Sequence, residues 1–139
     1  MLVTDPKTTL LRCVPGLGTY REHDLAPFLP LVDEVTFEPG APLVRERTRA
    51  SQVFVLIDGF ADVVVHGAPR STVGPGDYVG EVAVLAPGLQ ESSVVARTTV
   101  RALVMNPRTF VTMLGEPLVA SKLAAQLARR LSGSETRYS

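Results

Sequence analysis

The sequence predicts a mainly-β domain, a barrel or sandwich of short strands with helical segments at both ends. Three observations predict it. Beyond Leu31 the chain breaks into short β-branched runs. Turn residues separate those runs at Pro39-Gly40, Asp58-Gly59, Gly67-Ala68-Pro69 and Gly74-Pro75-Gly76-Asp77. Helical spacing returns only after Asn106.

From Lys7 to Leu31 the apolar residues Leu10, Leu11, Val14, Leu17, Leu25, Phe28 and Leu29 fall in small groups interrupted by Pro15-Gly16 and Gly18. That texture predicts short helical pieces, with Asp24 as the cap of the second and Pro27 confining that piece to a first turn. Val53–Ile57 and Ala61–Val65 flank Asp58-Gly59-Phe60, and Ser92–Ala96 with Thr98–Met105 supply later strands, so the region reads as a run of hairpins. Asn106-Pro107 has the form of an N-cap followed by proline in the first turn, opening a helix through Leu114 that Gly115 can end. Pro117 opens a last helix. There Leu123, Leu127 and Leu131 recur every four residues beside Ala120, Ala124 and Ala128, with Lys122, Gln126, Arg129 and Arg130 elsewhere. The domain is expected over residues 1–131, with 132–139 as a loose tail.

A chain of 139 residues with 45% hydrophobic and 20% charged residues has the makings of one buried core. Fourteen basic and fourteen acidic side chains leave no net charge, so no global field draws the chain to nucleic acid or to an acidic membrane. Apolar runs such as Val53–Ile57 stop far short of the ~20 residues that span a bilayer. The start of the chain lacks the pattern of a secretory signal, and the single cysteine, Cys13, cannot form an internal bridge. A cytoplasmic location is therefore expected, with Cys13 as a small core residue.

The segment Gly74-Pro75-Gly76-Asp77-Tyr78-Val79-Gly80-Glu81-Val82-Ala83-Val84-Leu85 resembles the entry to the phosphate-binding cassette of cyclic-nucleotide-binding domains. Val35–Gly40, Val53–Gly59 and Ala102–Phe110 also resemble that family and follow its order, so the likeness runs from about Leu10 to Leu131. It implies a double-stranded β-roll (jelly roll) between an N-terminal helical segment and C-terminal helices, serving as a regulatory or binding module.

The resemblance also implies a ligand, cyclic AMP or cyclic GMP, and site residues. Backbone amides of Gly80, Glu81, Val82 and Ala83 would face the cyclic phosphate, as helix N-termini suit anions. Glu81 would accept a hydrogen bond from the ribose 2′-hydroxyl. An acid in a first helical turn also favours the helix dipole without any ligand. The family's phosphate arginine is missing: its place falls on Gln90, or on Glu91 with a one-residue longer loop. Loss of a charge-assisted hydrogen bond worth roughly 1.5–3 kcal/mol weakens binding about 10- to 100-fold. Arg97 and Arg70 are the cations weighed as substitutes, and Ser92 and Ser93 are candidate hydroxyl donors. At Arg45-Glu46-Arg47-Thr48 the family usually has Glu-Gly-Asp, so a different turn geometry is expected there.

Two readings follow. One is a sensor that binds cyclic AMP, cyclic GMP or another small anion weakly; the other is a scaffold that has lost the nucleotide and engages a separate effector protein or a second copy of itself through the C-terminal helix. Few residues follow Leu131, so the output is expected from another chain or from self-association. A cupin-type metal enzyme would share the roll, yet His23 and His66 stand apart, which predicts no metal, no resident cofactor and no catalytic residue.

Overall fold

The computed structural model describes residues 6–49, 51–81 and 89–138, with side chains through residue 126. Among these, eight strands form two antiparallel sheets: β1 (Val32–Phe37), β2 (Pro42–Val44), β3 (Val53–Asp58), β4 (Ala61–Val65), β5 (Ala68–Val73), β6 (Tyr78–Val79), β7 (Ser93–Ala96) and β8 (Val100–Met105). Strand order is β1-β8-β3-β6 in one sheet and β2-β7-β4-β5 in the other. This is the expected β-roll with helices at both ends.

The unbroken apolar run of β3 has a direct cause. Phe54 and Leu56, with Ala102 of β8, pack against Leu43, Val73 and Val94 of the facing sheet, while Val53 and Val55 pack on the opposite side against the helices. Burial on both faces removes the alternation of a half-exposed strand. β8 divides likewise, with Leu103 and Met105 toward the helices and Val100 and Ala102 toward the second sheet.

The expectation of successive hairpins is corrected. Among the described residues β4–β5 is the only pair of consecutive strands that hydrogen-bond to each other; β3 and β4, on either side of Asp58-Gly59-Phe60, belong to different sheets. A turn dipeptide marks a reversal of the chain but not the layer to which it returns. Here the corners carry the chain across the roll. In the one true hairpin the turn is His66-Gly67, both at positive φ, with Val65 opposite Ala68. Ala68 and Pro69 thus lie in β5 rather than in the turn. Pro69 is tolerated because β5 is an edge strand and its pairing with β4 shifts register between Val63 and Val64.

Helices α1 (Pro6–Leu11) and α2 (Glu22–Leu25) and a 3-10 segment (Ala26–Leu31) lead into the roll. Asp24 lies inside α2 rather than capping it, and its Oδ2 accepts from the Arg21 backbone N–H at 3.3 Å. Cys13 is exposed, not a core residue: it follows α1 on the side away from Leu11 and Val14, which are buried. Helix α3 (Pro107–Met113) opens as the sequence predicts, with Asn106 Oδ1 accepting from the Thr109 N–H at 2.8 Å. It places Phe110 against Tyr78, ring centres 5.7 Å apart.

Helix α4 spans Pro117–Tyr138 and so continues beyond Leu131, through the stretch expected to be a loose tail. Its buried face runs through Val119, Leu123 and Gln126, while Ala124 and Lys122 are exposed. Gln126, assigned by its polarity to the outer face, is therefore a core-facing residue. Leu127 and Leu131, expected on the apolar stripe, lie outside the described side chains. Leu123, part of the stripe considered for dimerisation, is already covered by its own chain.

Candidate functional site

The turn before the Gly80-Glu81 pair is fastened to β3 at both ends. Asp77 Oδ2 accepts from the Gly74 N–H at 2.9 Å; the Gly76 N–H donates to Leu56 O at 2.8 Å; and the Leu56 N–H donates to Asp77 O at 3.0 Å. After the two residues of β6 the chain turns at Gly80, where φ is +90°. A Cβ there would lie 2.7 Å from Gln52 O, so glycine is required both by conformation and by the close approach of the Ser51-Gln52 backbone.

Glu81 is 1% exposed, and Gln126 of α4 reaches it: the amide Nε2 donates toward Glu81 Oε1 at 3.4 Å. The same amide brackets the Tyr78 peptide, its Oε1 accepting from Tyr78 N–H at 2.9 Å and its Nε2 donating to Tyr78 O at 3.3 Å. Tyr78 lies on β6, the edge of its sheet, and the glutamine side chain covers that edge as a further peptide group would. Burial drives the Tyr78 phenol pKa upward, and the negative charge of Glu81 adds to the rise. Val82 and Ala83 lie outside the described residues.

At the far end of the cassette, Gln90 is 8% exposed and its backbone is paired with the β2–β3 loop: its N–H donates to Thr48 O at 2.7 Å and its carbonyl accepts from Arg47 N–H at 2.8 Å. Arg49 bridges to Leu89 in the same antiparallel sense. Arg47 has φ +63°, a left-handed conformation that glycine adopts readily. The conformation costs an arginine roughly 1–2 kcal/mol, and the two bonds to Gln90 hold it. Ser93 Oγ accepts from the Glu46 N–H at 2.9 Å; Ser92 is half-buried and Glu91 is exposed.

A cavity of about 220 Å³ opens between β2, this loop and Gln90, lined by Leu43, Val44, Phe54, Ser51, Gln52, Gln90 and, at its rim, Arg45 and Arg49. Of the residues expected at a site, Gln90 lines it and Gly80 abuts it through Gln52 and Val44. Glu81, Glu91, Ser92 and Ser93 are outside this lining. Arg97 is committed elsewhere, holding Asp62 with its guanidinium and Thr72 Oγ1 at 2.8 Å. That pairing lowers the Asp62 pKa and raises that of Arg97. Arg70 lies on the edge strand β5, outside the lining.

Sequence reasoning passed over Arg45, Arg49 and Gln52. The available signal was three arginines at alternate positions, Arg45, Arg47 and Arg49, in a loop read only for its shape. Among the described residues no three His, Cys, Asp or Glu side chains gather as a metal site, and no helix is long and apolar enough to cross a membrane. A lining that combines the apolar Leu43, Val44 and Phe54 with two amide residues, a serine and two arginines suits a small ligand with an anionic end.

Comparison with known proteins agrees. The cyclic nucleotide-binding domain family matches residues 34–116. The cAMP-dependent protein kinase regulatory subunit of Schizosaccharomyces pombe is 26% identical over 131 residues, 94% of this chain and 31% of that protein. A solved regulatory subunit of a cAMP-independent protein kinase A from Trypanosoma brucei superposes with a TM-score of 0.79 at 22% identity, covering 96% of this chain and 51% of that one. A mutant of the same regulator bound to cAMP in the A site gives a TM-score of 0.78 at 22% identity, again over 96% of this chain and 51% of that one. The chain thus spans under a third of the curated relative and about half of the solved one. With the family matched from Glu34 to Glu116, on a β-roll whose Gly80-Glu81 entry is built as above, the chain belongs to the cyclic nucleotide-binding domain family, a family of binding modules rather than enzymes.

Proposed function

We propose that this domain is a regulatory module whose cassette binds cyclic AMP and cyclic GMP far more weakly than one with its phosphate arginine, and that its output is the control of a separate effector protein. The observation that carries the reading is Gln90: a neutral amide, buried and tied by its backbone to Arg47 and Thr48, lines the cavity, and it is one of the two positions, with Glu91, onto which the family's phosphate arginine aligns. An amide offers a neutral hydrogen bond where a guanidinium offers two charged ones. The Trypanosoma brucei regulator supports this reading: described as cAMP-independent, it is seen with cAMP in the A site in a mutant where, among three changes, a threonine becomes arginine.

The experiment is repair. The double substitution Gln90→Arg with Glu91→Ser places a cation at the cassette and removes the exposed carboxylate beside it. It is expected to tighten cyclic AMP binding at least about tenfold over the parent by calorimetry. A folded double variant that binds no better than the parent contradicts the reading and favours the interaction scaffold.

A further inference from the structure

The cavity does not lack positive charge; it receives it from another element. Arg45 and Arg49 stand at its rim, four residues apart on the loop between β2 and β3, and among the described residues neither is paired with a carboxylate. The loop that carries them is held in place. Thr48 Oγ1 donates to Arg45 O at 2.7 Å, Arg47 and Thr48 bond to both backbone groups of Gln90, and Arg49 bridges to Leu89. Glu46, the acid between the arginines, is turned to the β4–β5 turn: its Oε1 accepts from the His66 N–H at 2.7 Å, and His66 Nδ1 lies 3.7 Å from its Oε2. The nearest loop carboxylate is thereby kept from neutralising the rim.

Two arginines in the lining of one cavity bring two positive charges where the family's cassette presents one. A cyclic phosphodiester carries a single negative charge, whereas a terminal phosphate monoester carries about −1.5 to −2 at neutral pH and three acceptor oxygens. Arginine suits such a group because its planar fork donates in pairs. The apolar floor of Leu43, Val44 and Phe54 and the polar groups of Ser51, Gln52 and Gln90 are left for the remainder of a small molecule, in a space of about 220 Å³. We propose that this cavity selects a small phosphate monoester, of the size of a nucleoside 5′-monophosphate or less, held by Arg45 and Arg49 in place of a cyclic nucleotide held by the cassette. The proposal rests on the reading above that this cavity is the ligand site.

The test is calorimetric titration of the whole chain with 5′-AMP and with cyclic AMP, for the parent and for the double variant Arg45→Gln with Arg49→Gln. Both positions are exposed on a loop held by backbone bonds, so the variant is expected to fold, which circular dichroism checks. The expected result is that the parent binds 5′-AMP at least about tenfold more tightly than cyclic AMP, and that the double variant loses about tenfold or more of its 5′-AMP affinity. Raising the salt concentration should weaken the parent and leave the variant nearly unchanged. Three results each overturn the proposal: equal or tighter binding of cyclic AMP, an unaltered 5′-AMP affinity in the folded variant, or no binding of 5′-AMP by the parent. The second and third of these leave the cassette reading untouched, since that reading is tested by the parent's affinity for cyclic AMP and by whether Gln90→Arg with Glu91→Ser raises it.

Discussion

Gly59→Ala is expected to destabilise the domain by roughly 3–5 kcal/mol, a large share of the ~5–15 kcal/mol that holds a typical domain folded. Gly59 sits at the corner where the chain leaves β3 for β4, with φ +90°. Alanine there pays for a backbone conformation that costs side-chain-bearing residues about 1–3 kcal/mol. Its Cβ would also lie 2.1 Å from Thr99 O and 3.0 Å from Val100 Cα, backbone atoms that cannot swing aside. Moving them disturbs the start of β8, the strand that pairs with both β1 and β3. Gly40→Ala separates the two causes, because Gly40 has φ +88° but nothing within 4 Å of its added Cβ. Urea denaturation should show a loss of about 1–3 kcal/mol for Gly40→Ala and a markedly larger one for Gly59→Ala, with unchanged slopes. Equal losses would mean that the contact with Thr99 carries no cost.

Gln126→Ala is expected to cost about 2–4 kcal/mol, since it takes two buried hydrogen bonds from the Tyr78 peptide and one from Glu81, and a buried polar group deprived of a partner costs roughly 1–3 kcal/mol. Gln126→Met keeps most of the volume and removes the same bonds. It should therefore recover little of the loss if the hydrogen bonds matter and most of it if packing does. Hydrogen exchange at the Tyr78 amide gives a local readout, expected to quicken in both variants. If Gln126→Met unfolds in urea at the parent's midpoint, the glutamine is only a filler.

The contrast between these two residues shows where reading the sequence succeeds. Asn106-Pro107 announces its helix because a cap and a first-turn proline act through bonds a few residues away, and the structure forms the cap as written. Val53–Leu56 announces a strand for a similar reason. The assignment of consecutive strands to opposite sheets was not legible, since Asp58-Gly59 permits a reversal in either layer; the family resemblance supplied the roll that local turn chemistry could not. Gln126 was placed outside by polarity, although the spacing of Val119, Leu123 and Gln126 puts all three on one helical face. Its partners on Tyr78 and Glu81 are 48 and 45 residues away. Arg45 and Arg49 escaped notice because their relation to Gln90 runs through backbone pairing between distant loops. That neither Gln90 nor Glu91 is a cation, by contrast, is legible directly in the chain once those two positions are aligned with the family's pattern.

The central claim, that the cassette has lost the charge that gives this family its hold on a cyclic phosphate, is tested most directly by titrating cyclic AMP into the parent protein in a calorimeter. A neutral Gln90 in place of a bidentate cation predicts a dissociation constant no tighter than roughly tens of micromolar. A sub-micromolar constant would contradict the account, because it would require a cationic partner for the phosphate that the cassette does not supply.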